Sequence, residues 1–195
     1  MEIHVLIVGT HAMKETPDGV DVYDHYSTVT LIQSEGKNML VDTAGRGKFP
    51  LIKEKLAEFS LSPEDIHYVV LTHFHLDHAY NVSFFPNAHV IGWIHEWKTG
   101  STFRFADIEN MEFIKGIKII KTLGHAEEHL SVVATRDDGK KVVMAGDAIN
   151  KKYVDTRELH AMAYDKNLYK QSAEKIMEIA DFIIPGHGEM IEMKK

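Results

Sequence analysis

The chain has 195 residues, which is enough for one well-buried core but would leave a second complete domain cramped. Its formal net charge of −7 argues against a nucleic-acid partner, because binding to phosphates usually needs a basic face, although bound divalent cations would add positive charge locally. No segment approaches about 18 uninterrupted apolar residues and no secretory leader is present, so we expect no membrane span and take the cytoplasm as the default compartment.

The use of cysteine and histidine narrows the chemistry further. The chain contains no cysteine, which excludes disulfides, thiolate metal ligands and cysteine nucleophiles together. Histidine occurs 13 times, so any metal ion in this protein must be held by nitrogen and oxygen. The number of subunits is left open by the sequence.

The N-terminal half predicts strands interrupted by a polar segment and a helix. Thr10–Ser27, which contains His11 and His25, is rich in His, Asp and Gly, and we expect a solvated surface loop, with a loop over an active site as the alternative. Glu35–Asn38 is a turn that predicts a hairpin, and Ser62 resembles a helix cap. The predicted strands are Ile3–Val8, Thr28–Gln33, Met39–Asp42 and Tyr68–Leu71, and the predicted helix is Phe49–Phe59.

The C-terminal half continues the alternation of strands and helices. Trp93 and Trp97 lie four residues apart, at helical spacing, and we expect them to be packing residues instead of a platform for substrate. The interleaved pattern with two hairpins favours mixed sheets covered by helices. The predicted strands are Ala88–Gly92, Ile117–Thr122, Leu130–Thr135, Lys141–Met144 and Phe182–Ile184, and the predicted helix is Leu168–Ala180.

Residues 72–79, Thr-His-Phe-His-Leu-Asp-His-Ala, form the most informative segment of the chain. His73, His75, Asp77 and His78 are ligand types that bind zinc and other borderline divalent metals. His73 and His75 share one face of a strand end, whereas the other two lie just past it on a turn. One ion cannot easily take all four from so short a segment, so the spacing favours two adjacent metal positions.

Three further polar residues follow strand-like runs in the same manner. His125, Asp147 and His187 each come directly after a glycine that follows a predicted strand. Sites in sheet proteins commonly gather where several strand ends converge. Five histidines and two aspartates at four strand ends would suffice for two metals, and Asp147 is well placed to bridge them.

With these elements the chain resembles the metallo-β-lactamase superfamily of metallohydrolases, with a core like that of glyoxalase II. The motif His-x-His-x-Asp-His begins at His73, and the later elements are Gly124-His125, Gly146-Asp147 and Gly186-His187-Gly188. The resemblance implies one α/β domain over residues 1–195, a four-layer αββα sandwich of two mixed sheets flanked by helices. It also implies that His73, His75 and His125 hold one metal, that Asp77, His78 and His187 hold the second, and that Asp147 bridges them.

The implied activity is hydrolysis of a small ester, thioester or lactone by a hydroxide that bridges two divalent metals. Zinc is favoured, with iron or manganese as alternatives, and the partner is a small-molecule substrate. Asp77 would be the catalytic residue that orients the hydroxide and accepts its proton. Two alternatives stay open: a mononuclear iron dioxygenase of the persulfide dioxygenase type, and a phosphodiesterase or nuclease at the same site.

Several polar residues near these elements have two interpretations. Asp42 either lies under the site, hydrogen-bonded to a ligand histidine as the resemblance implies, or is an ordinary turn carboxylate. His160 and Tyr164 would donate a proton to a leaving group only if they reached the site, and solvated loop positions are expected instead. Glu127 and the neighbouring Glu128 replace the residues usual in the family and disfavour a strongly anionic substrate unless their side chains point away.

One competing motif is His125-Ala-Glu-Glu-His129, which matches the His-x-x-Glu-His pattern of inverted zinc proteases. That chemistry requires a helix, because the two histidines must face one way one turn apart. A glycine precedes the motif and a strand-like run follows it directly, so a helix is not expected here and the protease interpretation is disfavoured.

Overall fold

The computed structural model describes residues 1–98, 103–105, 108–109 and 111–194 of the chain. The predicted strands and helices are present there with bounds close to the expected ones, and further strands and helices occur that the sequence did not predict. The strands are β1 (Glu2–Ile7), β2 (Thr10–Thr16), β3 (Gly19–Tyr26), β4 (Val29–Ser34), β5 (Lys37–Val41), β6 (Tyr68–Val70), β7 (His89–Gly92), β8 (His95–Trp97), β9 (Phe103–Phe105), β10 (Glu112–Ile114), β11 (Ile117–Lys121), β12 (Leu130–Thr135), β13 (Lys141–Gly146), β14 (Phe182–Pro185) and β15 (Ile191–Glu192), and the α-helices are α1 (Phe49–Ala57), α2 (Leu76–Ala79), α3 (Lys151–Thr156) and α4 (Lys166–Ile179).

The strands form two mixed sheets, as expected. The first sheet has seven strands in the order β1-β4-β5-β6-β7-β8-β9, and the second has six, β10 to β15, in chain order. β6 pairs in parallel with both β5 and β7, and β13 pairs in parallel with β14, whereas the other pairings in the two sheets are antiparallel. β2 and β3 form a separate antiparallel hairpin. Parallel pairing places the carboxyl ends of β5 and β6, and of β13 and β14, together at one edge of each sheet.

Successive side chains of a strand divide between two apolar cores, because they point to opposite faces of the sheet. On β4, Ile32 packs into the core between the sheets, whereas Leu31 packs on the outer side. On β13, Met144 belongs to the inner core and Val143 to the outer one. Both sheets therefore have one face toward the other sheet and one face toward helices.

Helices cover the two outer faces. α1 buries Ile52 and Leu56 against the first sheet, at the spacing of one helical turn. α4 buries Tyr169 and Ile176 against the second sheet, and its first turn is capped by Asp165, whose carboxylate accepts bonds from two backbone N–H groups at 2.8 and 3.0 Å. The order helix, sheet, sheet, helix confirms the predicted αββα sandwich.

The hairpin of β4 and β5 has a tighter turn than the sequence predicts. Glu35 and Gly36 both have positive φ, 51° and 71°, as a two-residue type I′ turn requires, and glycine adopts this conformation without steric cost. Lys37 and Asn38, expected in the turn, therefore already belong to β5, where Asn38 pairs with Gln33.

Two local expectations hold in different elements from those that the spacing suggested. Trp93 packs against the inner core, as expected for a packing residue, but it lies in a turn with φ of 47° and Trp97 ends β8, so neither lies on a helix. Ser62 caps a helix start as expected, but the helix is a single 3-10 turn, where Asp65 accepts hydrogen bonds from the Ser62 amide and hydroxyl at 2.8 and 2.7 Å. Short polar patterns predict a cap without fixing how far the helix continues.

Among the described residues, none of the helices combines the length and the apolar character that crossing a bilayer requires.

Candidate metal centre

The predicted site residues lie on loops at the carboxyl ends of strands from both sheets. The loop after β6 carries His73 and His75, and α2, which follows directly, carries Asp77 and His78. His125 lies between β11 and β12, Asp147 follows β13, and His187 follows β14. The sandwich thus brings together four loops that are distant in sequence, and all seven predicted ligand residues meet there.

The first group consists of His73, His75 and His125. One nitrogen from each ring lies within 4.8 Å of the other two. His73 Nε2 is 2.9 Å from His75 Nδ1, and His125 Nε2 is 3.2 Å from the same atom. Three converging imidazole nitrogens are a common ligand set for a zinc ion that keeps an open position.

The second group consists of Asp77, His78 and His187, whose donor atoms also lie within 4.8 Å of one another. Asp77 Oδ2 is 3.4 Å from His78 Nε2 and 3.3 Å from His187 Nε2. The four-residue helix α2 places Asp77 and His78 one after the other at the edge of the pocket.

Asp147 lies between the two groups. Its Oδ2 is 3.3 Å from His125 Nε2, in the first group, and 3.6 Å from His187 Nε2, in the second. Its Oδ1 is 3.5 Å from His78 Nε2. A carboxylate that faces both groups has the position that a ligand shared by two ions requires.

Asp42 lies under the site, so the turn interpretation is excluded. Its Oδ2 is 2.8 Å from His78 Nδ1 and accepts the Thr72 hydroxyl at 2.8 Å, and its Oδ1 accepts the Thr72 amide at 2.8 Å. Asp42 is 2 % exposed and the His78 side chain is fully buried. Because His78 Nδ1–H donates to the carboxylate, Nε2 is the nitrogen that faces the second group and that would bind a metal there in exchange for its proton.

His129 is a supporting residue that the sequence did not reveal. Its Nε2 accepts the backbone amide of Asp147 at 3.2 Å, and its Nδ1 lies 3.0 Å from the Thr122 hydroxyl. The ring also stacks on His73 with 4.9 Å between centroids. The segment between His125 and His129 contains no helix, so the protease interpretation fails.

Burial keeps part of the site neutral. It lowers the pKa of His73 well below the ordinary histidine value, that of His125 to about 4 and that of His129 to about 3. These rings are therefore uncharged at neutral pH, with an N–H on one nitrogen and an electron pair on the other that can bind a metal or accept a hydrogen bond.

Charge dominates the other half of the site. Burial opposes ionisation of Asp77, but the contact with His187 and the charge of His78 outweigh it and lower the pKa of Asp77 to about 2. Burial also opposes the positive charge on His78, but the negative charges of Asp42 and Asp147 outweigh it and raise the pKa of His78. Burial opposes the charge on His187 as well, but its contacts with Asp147 and Asp77 raise the pKa of His187 to about 9. Protons on His78 and His187 thus balance carboxylates that a divalent cation would otherwise balance.

The donor set fits divalent metals. His78 Nε2 and His187 Nε2, which face the second group, are buried and make no hydrogen bond to any described residue. Buried polar atoms are rarely left without a partner, and each such atom needs a physical reason. Ring nitrogens and carboxylate oxygens in two adjacent groups are an N/O donor set that zinc, iron and manganese all accept.

Residues 10–27 do not form the solvated surface loop that the sequence predicts. They form the β2–β3 hairpin, whose base brings His11 and His25 against His187. The backbone carbonyl oxygen of Thr10 accepts a hydrogen bond from His187 Nδ1–H at 3.1 Å. Only the outer part of the hairpin, with Met13 60 % exposed, meets the expectation of a solvated segment.

Main-chain hydrogen bonds join the base of the hairpin to the metal-site loops. The Ser27 amide donates to the carbonyl of Asp77 at 2.9 Å, and the Thr28 amide donates to the carbonyl of Gly186 at 2.7 Å. The Gly188 amide in turn donates to the carbonyl of Gly9 at 2.9 Å. Three backbone bonds thus position the hairpin relative to loops from both sheets.

The two groups open into a cavity of about 650 Å³. His160 and Tyr164, expected at solvated loop positions, both line it; the His160 ring lies 5.2 Å from that of His125, and Tyr164 is 68 % exposed. Glu127 also faces the cavity, where its Oε1 accepts the Tyr164 hydroxyl at 3.4 Å. The other wall residues are Ala126, Ile149, Asn150, Lys151, Lys152 and Met162.

Gly186 leaves no room for a side chain, and Gly186→Ala is expected to remove bound metal. An added Cβ would overlap Asp147 Oδ1 and lie 2.9 Å from the His78 ring, so the alanine would push the carboxylate away from both groups. Metal content of the purified variant, measured by elemental analysis, checks this. Gly139→Ala controls for a general loss of stability, because Gly139 has open space around it but a φ of 81° that strains an alanine away from the site; equal metal loss in both variants would contradict the steric explanation.

Comparisons with known proteins agree with this architecture. The metallo-beta-lactamase superfamily model matches residues 22–187. The chain is 28 % identical over 190 residues to metallo-beta-lactamase domain-containing protein 1 of Xenopus laevis, and the match covers 95 % of this chain and 79 % of the frog protein. It is 32 % identical over 158 residues to a probable metallo-hydrolase of Methanocaldococcus jannaschii, covering 80 % and 74 %. It is also 32 % identical over 155 residues to the mouse protein of the same name, and this match covers 59 % of the length of the mouse protein.

The fold is also similar to that of solved structures. A mutant of AiiA from B. thuringiensis, solved with N-decanoyl-L-homoserine bound at its active site, superposes with a TM-score of 0.69 at 18 % identity, covering 95 % of this chain and 92 % of the other. At that identity the likeness shows the fold alone. The family match, the M. jannaschii relative and the shared architecture together establish that the chain belongs to the metallo-beta-lactamase superfamily.

Proposed function

We propose that this protein is a binuclear metal-dependent hydrolase of small esters, thioesters or lactones. The observation that carries the proposal is the position of Asp147, whose Oδ2 lies 3.3 Å from the first histidine group and 3.6 Å from the second. A carboxylate in contact with both groups favours two adjacent ions over a single one.

The seven residues divide into two ligand sets around Asp147. Two bound divalent cations would lower the pKa of water to about 7 and polarise the oxygen of a substrate. The second set includes Asp77, which is the candidate proton acceptor. The two ligand sets are His73, His75 and His125 for the first ion and Asp77, His78 and His187 for the second.

Asp77 has the properties of a group that orients an attacking water. Its side chain is 13 % exposed and lines the cavity, so Oδ2 can reach a water there. The pKa of about 2 keeps the carboxylate ionised at neutral pH, and an ionised carboxylate accepts hydrogen bonds only. It can therefore hold a water by one O–H and fix the direction of the oxygen electron pair.

The cavity walls support a small substrate of low charge. A volume of about 650 Å³ is in the range of small-molecule sites. Ile149 and Met162 give the wall apolar surface, while Lys151 and Lys152 contribute positive charge and Glu127 negative charge. A carboxylate in the wall disfavours a polyanion such as a nucleic-acid strand. The AiiA structure with an acylated homoserine bound makes acyl lactones the first compounds to test.

Elemental analysis and a substrate panel test the proposal. We expect two ions per chain and turnover of nitrophenyl esters, thioesters or lactones above that of bis-nitrophenyl phosphate. His78→Ala and His187→Ala are each expected to lose one ion and most activity, because both belong to one ligand set. His4→Ala, a histidine in β1 outside the cavity lining, is the matched control.

Three outcomes would overturn the proposal. A single iron ion per chain would favour an oxygenase, and turnover of the phosphodiester alone would reverse the substrate class. Unchanged metal content in His78→Ala and His187→Ala would exclude the second ligand set.

A further inference from the structure

A series of buried hydrogen bonds, the His129 network, runs from Asp147 back to the end of β13. His129 Nε2 accepts the Asp147 amide at 3.2 Å, and His129 Nδ1 lies 3.0 Å from the Thr122 hydroxyl. The Thr122 hydroxyl lies 2.8 Å from that of Ser131, which donates to the carbonyl of Ala145 at 3.1 Å. The network therefore begins and ends on two residues that are only two positions apart in the chain.

The two ends of the His129 network fix the direction of every bond in it. The Asp147 amide can only donate, so His129 Nε2 accepts and the proton of the neutral ring lies on Nδ1. Ser131 uses its proton on the carbonyl of Ala145, so the proton between the two hydroxyls comes from Thr122. Thr122 is then free to accept from His129 Nδ1–H, and each side chain donates once.

Burial makes this arrangement of bonds rigid. The side chains of His129, Thr122 and Ser131 all belong to residues with 0 % of their surface exposed. A group that lost its partner there would become an unsatisfied buried donor or acceptor, so the network favours a single arrangement. Gly146 permits the close approach of the ring, because a Cβ at that position would lie 3.0 Å from His129 Nε2.

The His129 network acts on the Asp147 carboxylate through the backbone. The amide of Asp147 is held by His129, and the carbonyl of Gly146, which belongs to the same peptide group, accepts the Gly186 amide at 2.8 Å. Both polar atoms of that peptide group are therefore bonded, which fixes the point from which the Asp147 side chain extends. The His129 ring also stacks on His73, a residue of the first ligand set, with 4.9 Å between centroids.

We propose that His129 is a positioning residue that holds the Asp147 carboxylate between the two metal positions, and that the hydroxyls of Thr122 and Ser131 keep its ring in the tautomer that this requires. The inference rests on the proposed function in one respect, because it takes Asp147 as the ligand shared by two ions. It adds that the affinity for metal depends on a residue that supplies no ligand atom.

Two replacements of His129 separate the bond to Asp147 from the loss of the ring. In His129→Gln the side-chain oxygen reaches the position of Nε2 and can accept the Asp147 amide, whereas the shorter amide of His129→Asn reaches only the position of Nδ1, near Thr122. We expect His129→Asn to bind Zn²⁺ about 10- to 100-fold more weakly than the wild type and His129→Gln to recover most of that loss. Competition with a chromophoric chelator measures the affinity. The visible spectrum of the Co²⁺-loaded protein reports the ligand geometry, and it should be altered in His129→Asn and restored in His129→Gln.

A second pair of variants tests the hydroxyl that fixes the tautomer. Thr122→Val keeps the shape of the side chain but removes the acceptor of His129 Nδ1–H, so the ring can move its proton to Nε2, against the Asp147 amide. Thr122→Val should weaken Zn²⁺ binding and alter the Co²⁺ spectrum, and Thr122→Ser, which keeps the hydroxyl, should restore both. Thr135→Val is the matched control, because Thr135 is the last residue of β12, pairs with Lys141 and lies outside the His129 network.

The contradicting outcomes separate this inference from the proposed function. Equal Zn²⁺ affinity and equal Co²⁺ spectra in the two His129 variants would overturn the positioning role, whatever their stability to denaturant. If those variants do not fold, equal values in the two Thr122 variants overturn it in the same way. A wild-type chain that binds a single ion would instead contradict the binuclear hydrolase, while the contrast within each pair would still decide the role of His129.

Discussion

Asp147→Ala is expected to abolish hydrolysis and to leave at most one metal ion per chain. Asp147 contacts His125 of the first group and both His78 and His187 of the second, so its removal takes a shared anion from two ions at once. The loss of metal affinity should exceed about 100-fold, the upper range for carboxylates that only support a ligand. Elemental analysis after dialysis and ester hydrolysis assays measure the two effects.

The control for Asp147→Ala is Asp138→Ala, which removes an exposed carboxylate from the turn between β12 and β13. The control variant should keep its metal and its activity. Two ions per chain in Asp147→Ala would show that this residue is not a shared ligand, whatever the activity of the variant.

Asp42→Asn is expected to release the second ion while the first remains bound. The amide of asparagine keeps an oxygen for the Thr72 amide but presents N–H₂ to His78 Nδ1, which now has no acceptor. The His78 ring can avoid the clash of two donors by carrying its proton on Nε2, and that tautomer has no electron pair for the second ion. We expect affinity for that ion to fall by about 10- to 100-fold.

Two comparisons isolate this effect from a general loss of stability. Asp65→Asn is a matched control, because Asp65 also accepts an amide and a hydroxyl but lies exposed, far from the site. Asp42→Ala leaves the buried His78 without its partner and should lower the free energy of unfolding of the metal-free protein by about 3–5 kcal/mol. Denaturant unfolding in the presence of a chelator measures it, and an Asp42→Asn variant that still binds both ions tightly would contradict the tautomer argument.

The predicted ligand residues could be found from the sequence because each follows a strand that the sequence itself makes recognisable. The apolar run Tyr68–Leu71 and the hairpin of β12 and β13 have strong β character, and Gly124, Gly146 and Gly186 directly precede the other three predicted ligands. Once strand ends converge at one edge, residues such as His125 and Asp147 come together regardless of their separation in the chain. The four-layer fold follows from the same alternation of apolar side chains.

The hairpin and the supporting residues could not be found in this way. β2 reads Thr-His-Ala-Met-Lys-Glu-Thr, without the apolar alternation that predicts a strand, because it packs on neither main sheet. His129 makes hydrogen bonds with Thr122 and Asp147 that form only when the chain folds. Its spacing from His125 in the sequence suggested the unrelated zinc-protease motif. Asp42 had two interpretations because its partner His78 is 36 residues away.

The attachment of the β2–β3 hairpin has a consequence for how this protein can change. Its base is held to the loops of Asp77 and Gly186 by main-chain bonds, which depend little on side-chain identity, while Met13 and Tyr23 farther out are exposed. Substitutions in the outer hairpin can therefore accumulate without disturbing the chemistry. We expect that stretch to tolerate substitutions, with Gly9, Ser27 and Thr28 kept constant.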